Sequence, residues 1–207
     1  MPALSDNSYE TDPRFANLLG ALSTGLADAI QESTAAAAGL DGAAPAALVA
    51  LLDFLPGGTV RALSQVVGLT HSGAVRLVDR LVSDGLVARS RGRDSRSRSI
   101  TLTPAGQTLA LRVRMAREGA ISRAIENFSD GERATLTALC ERLIAEVTRR
   151  RLEDRAANRT PGGGALCRTC DFAACGRDAG LCPAAQATGA FTKESVVGAR
   201  GQPYSYL

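Results

Sequence analysis

The sequence predicts a mainly α-helical fold with one small β-hairpin, and three observations predict it. Alanine is abundant and aromatic residues make up only 4% of the chain, which favours helices and disfavours a large sheet. Apolar residues recur at helical spacing through most of the 207 residues. Strand-like alternation is confined to one short region, residues 86–102, that directly follows two short amphipathic helices.

The first residues, 1–11, are polar and read as a disordered N-terminus. Asp12-Pro13 starts a helix, with the aspartate as cap and proline at the first helical position. Its stripe is Phe15, Leu18, Leu19, Leu22, Leu26, Ala29 and Ile30, and it fades near Gly39. A second helix runs from about Pro45 to Leu55 and stops at Pro56-Gly57-Gly58. The stretch Thr59–Gly106 comes next. A helix over Val60–Val67 ends at Gly68, because glycine takes the left-handed conformation of a helix stop. Thr70 caps another helix to about Asp84, with Ala74, Leu77, Val78 and Leu81 as its buried stripe. Its other face carries Ser72, Gly73, Val75, Arg76, Asp79 and Arg80. This is a helix-turn-helix pattern, whose second helix would enter a major groove. Gly85 breaks that helix. A strand from Leu86 and another over Arg98–Leu102 then flank a polar loop, Ser90–Ser97, that carries Arg91, Arg93 and Arg96. Such a hairpin is a wing, and its guanidinium groups can reach the strong negative potential of an adjacent minor groove.

Two long helices follow. Thr103-Pro104 repeats the cap-and-proline start of a helix to about Phe128. Ser129-Asp130-Gly131-Glu132 fits a capping box for a helix to about Ala157. Leu136, Leu139, Cys140, Leu143, Ile144 and Val147 form the apolar stripe of the latter, on which Cys140 reads as a small buried hydrophobe. Its charged end, TRRRLEDRAANR, is expected to project into water. Pro161-Gly162-Gly163-Gly164 reads as a flexible linker, and residues 188–207 as a flexible tail.

The residues from Gly68 to Gly106 resemble the winged helix-turn-helix core of MarR-type transcriptional regulators. RLVDRL at Arg76–Leu81, GLV at Gly85–Val87, D-x-R at Asp94–Arg96 and LTPAG at Leu102–Gly106 stand in the family's order. The resemblance is specific over about fifty residues and extends, as helices only, over roughly 12–157. It implies that residues 12–160 form a winged domain with dimerisation helices, that the protein is a homodimer, and that a double-stranded operator is its partner. It also implies an effector site between the dimer helices and the winged domain, for a small molecule. By this reading His71, Ser72, Gly73, Val75, Arg76 and Arg80 line the major groove or its phosphates. Arg91, Arg93 and Arg96 serve the wing, with Arg96 the minor-groove residue and Asp94 orienting the arginines. Charge supports this more by place than by amount. The net charge is only +3, yet Arg76–Arg98 holds seven arginines against Asp79, Asp84 and Asp94.

The resemblance does not cover the cysteine-rich end. Cys167, Cys170, Cys175 and Cys182 give C-x2-C-x4-C-x6-C within residues 161–187. A segment so short has no core of its own, and four thiolates on one metal centre would supply its folding energy. One centre per chain is expected, with zinc favoured as the usual occupant of a closed tetrathiolate site. The spacing resembles a zinc knuckle with cysteine in place of histidine and a longer last gap. An iron–sulfur cluster is the alternative, because Cys182-Pro183 echoes the end of bacterial ferredoxin motifs.

Other classes find less support. His71 is the one histidine, so no multi-histidine metal site is possible, and no phosphate-cradling glycine motif occurs. No apolar run is long enough for a membrane span and the N-terminus lacks the pattern of a signal peptide, so a cytoplasmic protein is expected. The expected function is sequence-specific transcriptional regulation, as a repressor answering a small-molecule or redox/metal signal, and not enzymatic. Two alternatives are a thiol oxidoreductase using Cys167 and Cys170, disfavoured by the lack of a βαβ pattern, and a metal-module adaptor for another protein.

Overall fold

The computed structural model describes residues 12–91, 98–159 and 162–195. Helix α1 spans Pro13–Ala38, opened by the Asp12 carboxylate on the Arg14 amide at 2.9 Å. Helix α2 spans Ala44–Val49 and widens over Ala50–Phe54, where the Leu55 amide reaches five residues back to Ala50. Helices α3, Val60–Val67, and α4, His71–Ser83, are capped by the hydroxyls of Thr59 and Thr70. Strands β1, Val87–Arg91, and β2, Arg98–Leu102, pair antiparallel with Val87 opposite Leu102 and Arg91 opposite Arg98. Helices α5, Pro104–Ala124, and α6, Asp130–Ala156, follow, and α7, Pro183–Ser195, ends the described chain.

One core holds the winged part together. Leu48, Leu63, Val66, Val78, Leu81 and Ile100 are buried in it, so α2, α3, α4 and β2 share a single apolar interior. The junction of wing and α5 is tied by one hydroxyl. Thr103 Oγ1 donates to the Gly85 carbonyl at 2.7 Å and accepts from the Gly106 amide at 3.1 Å, while the Thr103 amide donates to the Leu86 carbonyl. That close approach explains Gly106: a methyl group there would overlap the Leu86 carbonyl. Helix α1 lies along α5, with Arg112 donating to the Ala37 carbonyl and Arg123 to the Ser33 hydroxyl.

The sequence-based expectations hold for the elements from Asp12 to Leu102 and for the capping box at Ser129, where Glu132 accepts from the Ser129 amide. Four expectations are corrected. Helix α5 ends at Ala124, four residues short of Phe128, because the chain turns on the Ser122 and Arg123 carbonyls. The end of α6 does not simply project into water. Thr148 and Leu152, one turn apart, are 2% and 1% exposed and face the cysteine-rich segment, although Arg149 and Arg150 remain on the surface with Glu146. The glycine linker is pinned where it is described: the Ala165 amide donates to the Val66 carbonyl at 2.7 Å, and Arg151 donates to the Gly164 carbonyl. The tail expected from residue 188 instead begins inside α7, while residues 1–11 and 196–207 lie outside the described residues.

Gly106→Ala should lower stability by about 1–3 kcal/mol through overpacking at the Leu86 carbonyl. Urea unfolding checks it; an unchanged midpoint with an unchanged slope would show that the junction has room.

Candidate nucleic-acid interface and cysteine cluster

The helix-turn-helix is built so that one side of α4 is committed to the core and the other is free. Ala74, Val78 and Leu81 are buried, each 0% exposed, which fixes the rotation of the helix. His71, Ser72, Arg76 and Arg80 are then exposed, while Gly73 and Val75 are half-buried. The Gly73 amide is spent on the cap, donating to Thr70 Oγ1 at 3.1 Å, and Ser72 Oγ lies 3.3 Å from that same hydroxyl. Arg80 sits 3.8 Å from Asp84, a loose exposed pair that leaves its guanidinium available.

Asp79, on the same face, has a task the sequence did not disclose. It pairs with Arg89 of β1 at 2.6 Å, linking α4 to the hairpin. Arg89 was read only as part of a strand, and nothing in the spacing marks it as the partner of Asp79. Of the expected wing residues, Arg93, Asp94 and Arg96 lie outside the described residues. The backbone of Arg91 pairs with Arg98 at the end of the hairpin, and its side chain also lies outside them.

The four cysteines of the C-terminal segment come together. Cys167 and Cys182 are buried with Ala184, and Cys170, Cys175, Phe172 and Phe54 pack around them. The thiols form two hydrogen-bonded pairs, Cys167 with Cys170 and Cys175 with Cys182. The Cys167 bond holds the Cys170 thiol down to about 6, helped by the charges of Arg117, Arg177 and Arg168 against the effect of burial. The same bond, with burial, pushes Cys167 up, and burial followed by the Cys182 bond pushes Cys175 up to about 11. Among the described residues no group of three or more His, Cys, Asp or Glu side chains already converges on one point as a metal site, so a centre shared by all four thiols requires the two pairs to close on each other. Cys140 stands apart. It was expected to be buried, but within a single chain it is exposed, because the α6 stripe finds no cover there.

This cluster is not a separate bead on a string. Phe172 meets Phe54 edge-on at 5.8 Å between ring centres, and Phe54 also packs against the winged core. Arg114 of α5 bridges Asp53 at 2.8 Å and Asp171 at 3.3 Å. Ala165 belongs to the winged core itself. Sequence reasoning missed all three contacts because their partners lie far apart along the chain and no local pattern joins them.

Residues 38–97 match the MarR family model. A MarR family protein from Bacillus stearothermophilus is 27% identical, matching 67% of this chain and 99% of its own, with a TM-score of 0.57. The reduced form of MarR from E. coli is 21% identical over 65% of this chain and 98% of that one, at a TM-score of 0.53. CouR from Rhodococcus jostii RHA1, bound to p-coumaroyl-CoA, is 24% identical over 69% and 95%, at a TM-score of 0.50. No curated protein matches the chain. The MarR-family segment ends before the first of the four cysteines, so the cluster lies outside it.

Arg114→Ala leaves Asp53 and Asp171 without their shared cation. A loss of about 1–2 kcal/mol is expected after solvent screening, together with faster hydrogen exchange at the Ala165 amide. Unchanged exchange there would mean that the bridge does not help hold the segment in place.

Proposed function

We propose that the chain is a homodimeric, sequence-specific DNA-binding transcriptional regulator, acting as a repressor. One observation carries the reading: Ser72, Arg76 and Arg80 are exposed along a helix whose opposite side, Ala74, Val78 and Leu81, is locked in the core. A helix presented in this way delivers side chains to a major groove with little freedom to misalign. The Asp79–Arg89 pair ties the wing to that helix, so the two would approach a duplex as one unit. The MarR family match over residues 38–97 supports the reading.

Uncovered apolar surface supports the dimer. Phe15, Leu18 and Leu22 of α1 are 53–57% exposed, and Leu139 and Leu143 of α6 are 47% exposed. They line one open apolar groove of about 940 Å³ that also reaches Ala187 and Ala190 of α7. A contiguous surface of this kind is covered in a stable protein, and a second copy supplies matching helices. The signal is a small molecule or a change at the cysteine cluster; CouR, which shares the fold, binds p-coumaroyl-CoA. No helix among the described residues is long and apolar enough to cross a membrane. A thiol oxidoreductase is disfavoured, because the strands of the described residues form one antiparallel hairpin and no βαβ unit carries Cys167 and Cys170.

The dimer should bind a pseudo-palindromic duplex with half-sites about 10 base pairs apart, one helical turn. Sedimentation of the protein on a selected operator tests this, and a lone monomer on the full site contradicts it. Arg76→Ala should relax base preference by about 1–3 kcal/mol if the guanidinium is bidentate to guanine. Equal losses on specific and random duplexes would show that Arg76 only positions the helix. Arg96→Ala should flatten the slope of log affinity against log salt by about 0.9 if one phosphate contact is lost.

A further inference from the structure

We propose that Cys167, Cys170, Cys175 and Cys182 hold one thiolate-bound metal centre, zinc or an iron–sulfur cluster, that braces the helix-turn-helix of its own chain. The proposal rests on the regulator reading for its consequence at DNA, but not for the site itself.

The first support is that these thiols are the interior of their segment. Between Ala165 and Pro183 the described chain has no regular helix or strand, and its buried centre is Cys167 and Cys182, with Cys170 and Cys175 packed on them. Four small side chains bury too little surface to order some twenty residues by themselves. A metal held by four thiolates supplies that energy directly. The second support is the ring of positive charge. Arg177 lies over Phe172 with its Cζ 4.6 Å from the ring centre, and its Nη1 is buried with no acceptor among the described residues. A buried guanidinium N–H without an acceptor is costly. Metal-bound sulfur, as thiolate or cluster sulfide, is an acceptor of the right charge. Arg117 and Arg168 add cationic charge beside Cys170. A zinc ion held by four thiolates, with the remaining thiol protons passing to solvent, has a net charge of −2, which these arginines offset. The same balance applies to a cluster of four irons and four sulfides at net charge −2, whose iron and sulfide come from outside.

The third support concerns location. The segment enters at Gly164, which touches the turn between α3 and α4. A methyl group on Gly164 would overlap the Val66 carbonyl, and one on Gly68 would come within 2.6 Å of the Gly164 amide nitrogen. The Ala165 amide bonds Val66 at the end of α3. On the other side Phe172 and Asp171 hold Phe54 and Arg114. A centre that orders residues 165–182 therefore also clamps the turn that aims α4. Loss of the metal releases the clamp and lowers operator affinity by widening the range of α4 orientations.

The test uses full-length protein purified without oxygen. Metal and acid-labile sulfide are measured, and cobalt is then loaded into stripped protein as an optical probe. The expected result is about one zinc, or one iron–sulfur cluster, per chain. Cobalt should give the intense visible bands of a tetrahedral four-thiolate site. Cys175→Ser, at a half-buried position, and Cys182→Ser should each lose metal, whereas Cys140→Ser keeps it. Stripping should speed hydrogen exchange at Val66–Thr70 and Ala165, leave α1 unchanged, and weaken operator binding about tenfold. Freshly purified protein without zinc or iron that also takes up no cobalt overturns the site. Metal at full occupancy in both Cys175→Ser and Cys182→Ser overturns the ligand assignment. Metal-bound protein whose exchange at Val66–Thr70 is unaffected by stripping overturns the brace. These readouts need no DNA, so a metal-responsive chain that binds no duplex would refute the regulator reading and leave the site standing.

Discussion

The hydrogen bond from the Ala165 amide to the Val66 carbonyl joins the two halves of this molecule. Upstream of it is a winged helix-turn-helix with long flanking helices. Downstream is a thiol-rich segment with almost no secondary structure of its own until α7. A single backbone bond contributes about 1 kcal/mol, but this one requires the chain to run over the turn between α3 and α4. Only glycine at both 68 and 164 permits so close a passage. With the entry point fixed, Phe172 reaches Phe54, Asp171 reaches Arg114, and Cys167 turns inward beneath Leu152 of α6.

The winged part divides labour by burial. Small or branched apolar residues fill the side of α4 that faces α3 and β2, so that helix has one allowed rotation. Its outward residues do not have to stabilise the fold and are free to be polar. Asp79 is the exception, because its bond to Arg89 couples helix and wing. Charges of both signs on this face thus serve different ends: the carboxylate organises, and the Arg76 guanidinium, unpaired among the described residues, is exposed.

A single chain also leaves work unfinished. The stripes on α1 and α6 have the helical spacing of core faces, yet they remain open to solvent, and Cys140 is open with them. Such faces follow from sequence as apolar stripes, but the stripe does not say whether its cover comes from the same chain. In this molecule α1 spends its other side on α5, and α6 spends its last turns on the cysteine segment, so the groove between them stays uncovered.

Local chemistry determined most of the elements. Asp12, Thr59, Thr70, Thr103 and Ser129 are caps that act within three residues, and Gly68 is a stop that acts on its own φ of 73°. Interactions of that range are written in the sequence, which is why the helix-turn-helix and the exposed positions of Ser72, Arg76 and Arg80 were legible. The cysteine spacing was legible too, as a cluster. What the spacing could not hold was its address. Pro161–Gly164 has the composition of a free linker, and composition cannot show that a glycine is there for a carbonyl almost a hundred residues earlier. The pairing of Asp79 with Arg89, the bridge from Asp53 through Arg114 to Asp171, and the burial of Thr148 and Leu152 are likewise products of the assembled chain. Each depends on distance in space between residues that the sequence keeps apart, and only the packed helices bring them within reach.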